Sequence, residues 1–233
     1  SLDATMTLLR TTGVPIGRTG PLHVLQDTVD NKILFGGSSA GAKGVMNNAL
    51  RLEEQFTAAQ RFYLVDGYHF SLDGGLPTSD EAAELPLKTV YNPAFSAACP
   101  DFACLGTARQ HQEFEARNMK VMYTYALQDA TIGTEAAAAG TTTTDCTSLA
   151  FPYAKTCTGV KGVGVKVMTA VVRNAAKPET QAYGWHPRAT QHVLSKTNLW
   201  YFDTLIAPAG GVSFANVLGM MLDQQPRFSA VDN

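Results

Sequence analysis

Charge is scarce in this chain. Only 16% of its 233 residues are Asp, Glu, Lys or Arg, against roughly 25% in an average soluble protein, which excludes an extended, self-repelling chain. The charge present is balanced: eighteen Lys and Arg against twenty Asp and Glu leave a net charge of -2, with no basic block. The electrostatic footprint of a nucleic-acid binder is therefore missing, and no nucleic acid is expected as a partner. Long apolar runs are lacking too. They break within about ten residues, below the roughly twenty that span a bilayer, so no transmembrane segment is expected. There is no G-x-x-x-x-G-K-[ST] phosphate loop, no repeat at a period of about 20 to 50 residues and no N-x-S/T sequon. No His stands at ligand spacing beside a cysteine, so no metal is called for.

What is present is apolar bulk. At 45% hydrophobic residues the chain can bury a real core, and one domain over 1–233 is expected. Four cysteines fall into two local pairs, Cys99 with Cys104 and Cys146 with Cys157, each among loop-forming residues. Two small disulfide loops in an oxidising compartment suit an even count at such spacings. Four reduced thiols are the alternative, because neither pair is a C-x-x-C. The start at Ser1 fits a secreted protein with its leader removed, or a fragment of a longer precursor.

Along the chain, apolar runs and helical spacing alternate. Lys32 to Gly36 predicts a strand, and Ala42 to Phe56 a helix through Val45, Leu50 and Leu52. Arg61 to Val65 predicts a second strand, running into Asp66-Gly67. Thr107 to Asn118 has the polarity of an exposed helix, and Lys120 to Ala126 the Val, Tyr and Thr enrichment of a strand. Val160 to Asn174 suits helix or strand. Asn198 to Phe202 is strand-like, and Ser213 to Gln225 predicts a last helix capped by Ser213 and stopped by Pro226, with Phe214, Val217 and Met221 as its buried stripe. Irregular or low-complexity spans at 71–105 and 134–160 read as lid or insertion. Strands alternating with helices predict an α/β fold with a mainly parallel sheet flanked by helices.

The sharpest local signal is Gly37-Ser38-Ser39-Ala40-Gly41, a G-x-S-x-G set between an apolar strand and a helix. Such a turn strains the serine so that its Oγ projects above the sheet. The motif alone also occurs in phosphate-binding turns; the strand before and the helix after select Ser39 as candidate nucleophile. The Ala40 N–H, at the positive end of the helix, is then an oxyanion donor.

A serine nucleophile needs a base and an orienting carboxylate, in the chain order Ser, acid, His for this topology. Asp129 follows the Val121 to Ala126 strand and is the candidate acid. Order excludes His23 and His69, and His111 precedes the acid. His186 and His192 remain. His192 is preferred, because His186 sits between Trp185 and Pro187, where packing is the simpler role.

These residues resemble a family, the pectin acetylesterase and Notum-like carboxylesterases, extracellular relatives of the α/β-hydrolases. Gly36-Gly37-Ser38-Ser39-Ala40-Gly41 is similar to the family's G-x-S-A-G-G, with Ala42 in place of the last glycine. Asp66-Gly67-Tyr68-His69-Phe70 followed by Leu72-Asp73 resembles its D-[AS]-G-[FWY]-F-x-D, without the small residue between Asp and Gly. The similarity runs from about Leu8 onward and is patchy outside these motifs. It implies an α/β-hydrolase-like fold, a Ser39–His192–Asp129 triad, disulfides at the loop cysteines, no cofactor and a secreted location. The implied substrate is an acyl ester, such as O-acetyl on a polysaccharide or a short fatty acyl group.

Two departures add a second expectation. The family's G-G-G-W-C turn and the strands around it have no counterpart here, so leading strands and further oxyanion donors would come from another chain, such as an associated N-terminal fragment. The family's Gln three residues after the acid is Ile132 here. The alternative is accordingly a hydrolase-like domain, catalytically weak or inactive, that serves as a structural or binding subunit of an extracellular or organellar assembly.

Overall fold

The computed structural model describes residues 2–15, 19–67, 107–124, 126, 182–187, 189, 191, 193–195, 205–206 and 210–232. Helix α1 (Leu2–Thr11) leads into a small antiparallel hairpin, β1 (Val14–Pro15) with β2 (Leu22–His23). Then follow β3 (Lys32–Ser38), α2 (Ala40–Gln55), β4 (Gln60–Asp66), α3 (Thr107–Ala116), β5 (Lys120–Thr124), β6 (Ala182–His186), α4 (Phe214–Leu222) and β7 (Ser229–Val231). The last five strands form one sheet in the order β3-β4-β5-β6-β7, and every neighbouring pair is parallel. The α/β architecture expected from the alternation of elements is the one observed.

Strand β4 is the clearest case of sequence dictating position. Phe62, Tyr63, Leu64 and Val65 are all buried, as a central parallel strand covered on both faces requires. Alternate residues go to opposite layers. Tyr63 and Val65 pack with Ile33, Val121 and Tyr123 against Met6 of α1, Met46 and Leu50 of α2 and Phe114 of α3. Phe62 and Leu64 pack with Met122, Tyr183 and Trp185 against Phe214, Val217 and Met221 of α4. The stripe expected on the last helix is thus buried. Strand β3, by contrast, is at the edge of the sheet among the described residues, and Leu34 is 40% exposed.

Boundaries shift where local geometry overrides the pattern. Helix α2 begins at Ala40, two residues before the apolar spacing starts, because Ser39 turns the chain directly out of β3. Helix α4 has the expected Ser213 cap, with a capping box closed by Asn216. It stops at Leu222 rather than at Pro226, since Gln224 already takes a positive φ of 55°. The polar helix α3 is less exposed than its composition suggests, for His111 and Phe114 are both buried. Strands β6 and β7 and helix α1 had no expectation attached. β6 reads Ala-Tyr-Gly-Trp-His, without β-branched residues, and pairs because β5 and β7 flank it. The spans 71–105, 134–160, 160–174 and 198–202 lie outside the described residues or are described at no position.

Among the described residues no helix is long and apolar enough to cross a membrane.

Candidate functional site

In a parallel α/β sheet the loops at the carboxyl ends of the strands carry the chemistry. Here that edge consists of Ser38, Asp66, Thr124 and Trp185, which are neighbours in register across β3 to β6. Ser39 comes immediately after β3, while Asp129 and His192 follow the ends of β5 and β6 in the chain.

Ser39 has φ 54° and ψ -121°. A non-glycine residue in that conformation is strained by about 1–3 kcal/mol and persists only where its surroundings fix it. They do so by three contacts. The Ser39 N–H donates to the Asp66 carbonyl at 2.8 Å, extending the β3–β4 ladder by one residue, and the Lys43 N–H donates to the Ser39 carbonyl at 3.1 Å as the first turn of α2. Third, the Gly37 backbone lies against that of Gly41: a Cβ on Gly37 would stand 2.3 Å from the Gly41 carbonyl carbon. Gly37 is therefore required by space. Gly41 is not, as nothing lies within 4 Å of the position its Cβ would take.

The Ser39 side chain makes no capping bond to the helix it precedes. Ser39 is partly exposed and Ala40 is exposed. The Ala40 N–H belongs to the first turn of α2, whose N–H groups have no acceptor within the helix. The candidate nucleophile and the candidate N–H donor are thus adjacent residues, and solvent reaches both.

The residue to which sequence reasoning gave no role, though it stands in the Asp66-Gly67 motif of the resemblance, is Asp66. Fully buried at the end of β4, its carboxylate accepts from the Ser195 hydroxyl at 2.6 Å, the Ser195 N–H at 3.0 Å, the Leu194 N–H at 3.2 Å and the Ser38 hydroxyl at 3.2 Å. The Ser38 and Ser195 hydroxyls also lie 3.2 Å apart. A carboxylate taken out of water is tolerated only when its lone pairs are satisfied in this way. The signal that could have found it was an Asp-Gly pair directly after the apolar run Phe62 to Val65.

His186 is buried at the end of β6, and its carbonyl accepts from the Asp232 N–H at 3.0 Å. That agrees with the packed role anticipated for it. His111 is likewise a core residue: its Nδ1 lies 3.0 Å from the Tyr123 hydroxyl, and burial pushes its pKa down to about 4. Trp185 donates through Nε1 to the Val212 carbonyl at 3.0 Å and meets Phe214 edge-on, as a packing residue rather than a stacking platform.

Asp129, His192, Cys99, Cys104, Cys146 and Cys157 lie outside the described residues. Of the predicted constellation, the structure describes Ser39 and Ala40; through Asp66 it also joins Leu194 and Ser195, which follow His192 in the chain, to Ser38 beside Ser39. Among the described residues no cluster of His, Cys, Asp and Glu could hold a metal ion. No protein-family model and no curated protein sequence matches the chain.

Proposed function

We propose that this chain is a secreted serine carboxylesterase with an α/β-hydrolase-like fold, cleaving an acyl ester, such as an acetyl ester on a polysaccharide, by double displacement. Ser39 attacks the ester carbonyl as His192 takes its proton, and Asp129 holds the imidazole tautomer. The Ala40 N–H stabilises the tetrahedral oxyanion, the alcohol leaves with the proton from His192, and water then releases the acyl group by the same route. The observation that carries the reading is the strained φ of Ser39 at a strand-to-helix turn. A serine that merely ended a strand would relax, whereas one whose hydroxyl must project over the sheet edge is held in this conformation.

The test is fluorophosphonate labelling together with p-nitrophenyl acetate turnover. Both are expected in the parent protein and absent in Ser39→Ala, with a loss of at least about 10³-fold in kcat. A folded parent protein that neither labels nor turns over the ester rules the reading out. The second reading, a hydrolase-like subunit without catalysis, is favoured by the position of β3 at the edge of the sheet among the described residues and by the exposure of Leu34, since an edge strand can pair with another chain. A stable heteromer lacking serine reactivity would be its mark.

A further inference from the structure

We infer that Asp66 is a positioning residue for the base: its buried carboxylate clamps the chain just after His192 to the residue just before Ser39. The inference rests on the esterase reading and adds to it the group that holds the two halves of the site in register.

The clamp has two jaws. On one side Ser38, adjacent to the nucleophile, donates its hydroxyl to Asp66, and the Asp66 carbonyl accepts the Ser39 N–H. On the other side Leu194 and Ser195 give two N–H groups and a hydroxyl to the same carboxylate. His192 stands two residues before Leu194 in the chain. Asp66 thereby ties the segment that follows the candidate base in the chain to the turn that carries the candidate nucleophile.

A loop could be fixed more simply by apolar contact, and Leu194 supplies that, being buried among Phe62, Leu64 and Met122. Apolar packing is non-directional, however. Four directed hydrogen bonds to one carboxylate fix both position and orientation, which matters where a displacement of about 1 Å can cost about a hundredfold in rate. The same residue also joins to the strained turn, and a loop staple alone would not need that connection.

The experiment compares kcat and KM for p-nitrophenyl acetate in Asp66→Asn, Ser195→Ala and Ser195→Thr, with Asp27→Asn as control. Asp27 also accepts three backbone N–H bonds, but beside the opposite end of β4. In Asp66→Asn, kcat is expected to fall about tenfold to a hundredfold with KM changed less than about threefold. Ser195→Ala should shift kcat in the same direction by less, Ser195→Thr should restore it, and Asp27→Asn should leave kcat at the parent value while lowering Tm. Should Asp66→Asn fail to fold, the Ser195→Ala and Ser195→Thr pair decides. A parent protein that hydrolyses the ester, with kcat unmoved in Ser195→Ala and in any folded Asp66→Asn, overturns the clamp and leaves the esterase standing. A parent protein without turnover or labelling removes the esterase reading and the clamp with it.

Discussion

Strand β4 is held at both ends by a carboxylate, and the two ends differ in what surrounds it. Near the start, Asp27 accepts the N–H groups of Thr57, Ala58 and Ala59 at 2.8 to 3.0 Å. These bonds, that of Ala59 foremost, keep its pKa below the usual carboxylate value. At the far end Asp66 accepts four bonds while fully buried. Water can replace what Asp27 gives, since its carboxylate is open to solvent. Asp66 itself is closed to solvent, and the Leu194 N–H among its donors is buried with it. The first end is a turn that steers the chain into the sheet, and the second is a joint between segments about 130 residues apart in the chain.

The largest stability effect should come from the buried end. Asp66→Ala removes the acceptor that four donors share and is expected to cost about 3–5 kcal/mol in urea unfolding; a cost under about 1 kcal/mol would mean that water enters the joint and would erase the contrast with Asp27. Next is Gly37→Ala, where the added Cβ meets the Gly41 carbonyl group. About 3 kcal/mol is expected, whereas Gly41→Ala should be neutral or gain up to about 1 kcal/mol as a better helix former. Equal effects at the two glycines would contradict the tight turn.

The pH dependence separates the Asp27 turn from the buried core around His111. His111 is buried and neutral, with its folded pKa lowered from 6.5 to about 4. Below its unfolded pKa the unfolded state binds the extra proton, so stability is full above about pH 6.5 and is lost as pH falls toward 4, by up to about 3 kcal/mol. His111→Phe should flatten that slope. Asp27, whose folded pKa is depressed, contributes stability above its unfolded pKa and loses it only as pH falls further through the folded value. Unfolding measured from pH 7 to 3 in the parent and in His111→Phe resolves the two windows.

The smaller effects are those of relaxation and exposure. Asp27→Ala should cost about 1 kcal/mol, because its donors turn to solvent. Ser39→Gly should gain about 1 kcal/mol by relieving the positive φ, while losing fluorophosphonate labelling altogether. A Ser39→Gly variant less stable than the parent would show that the turn is not strained.

Much of this was legible in the residue order. The strands over Lys32 to Gly36 and Arg61 to Val65 carry unbroken apolar runs, and the G-x-S-x-G between strand and helix marked Ser39 before any geometry was known. Asp66 was legible only as part of a resemblance, because its acceptor role involves residues 194 and 195, whose proximity no local pattern encodes. The interior placement of His111 was hidden for a similar reason. Helix α3 is polar in composition, and only its packing against the sheet decides which of its polar residues are buried.

The chain by itself determined the alternation of elements, the buried stripe of α4, its Ser213 cap and the small-residue turn around Ser39, since each follows from periodicity, capping and steric space over a few neighbouring residues. Tertiary structure alone decided that β6 becomes a strand, that β3 stands at the edge among the described residues, and that Ser38, Asp66 and Ser195 meet at one point. Those outcomes depend on which segments burial brings together, and burial of a carboxylate is settled by donors that arrive from elsewhere in the chain.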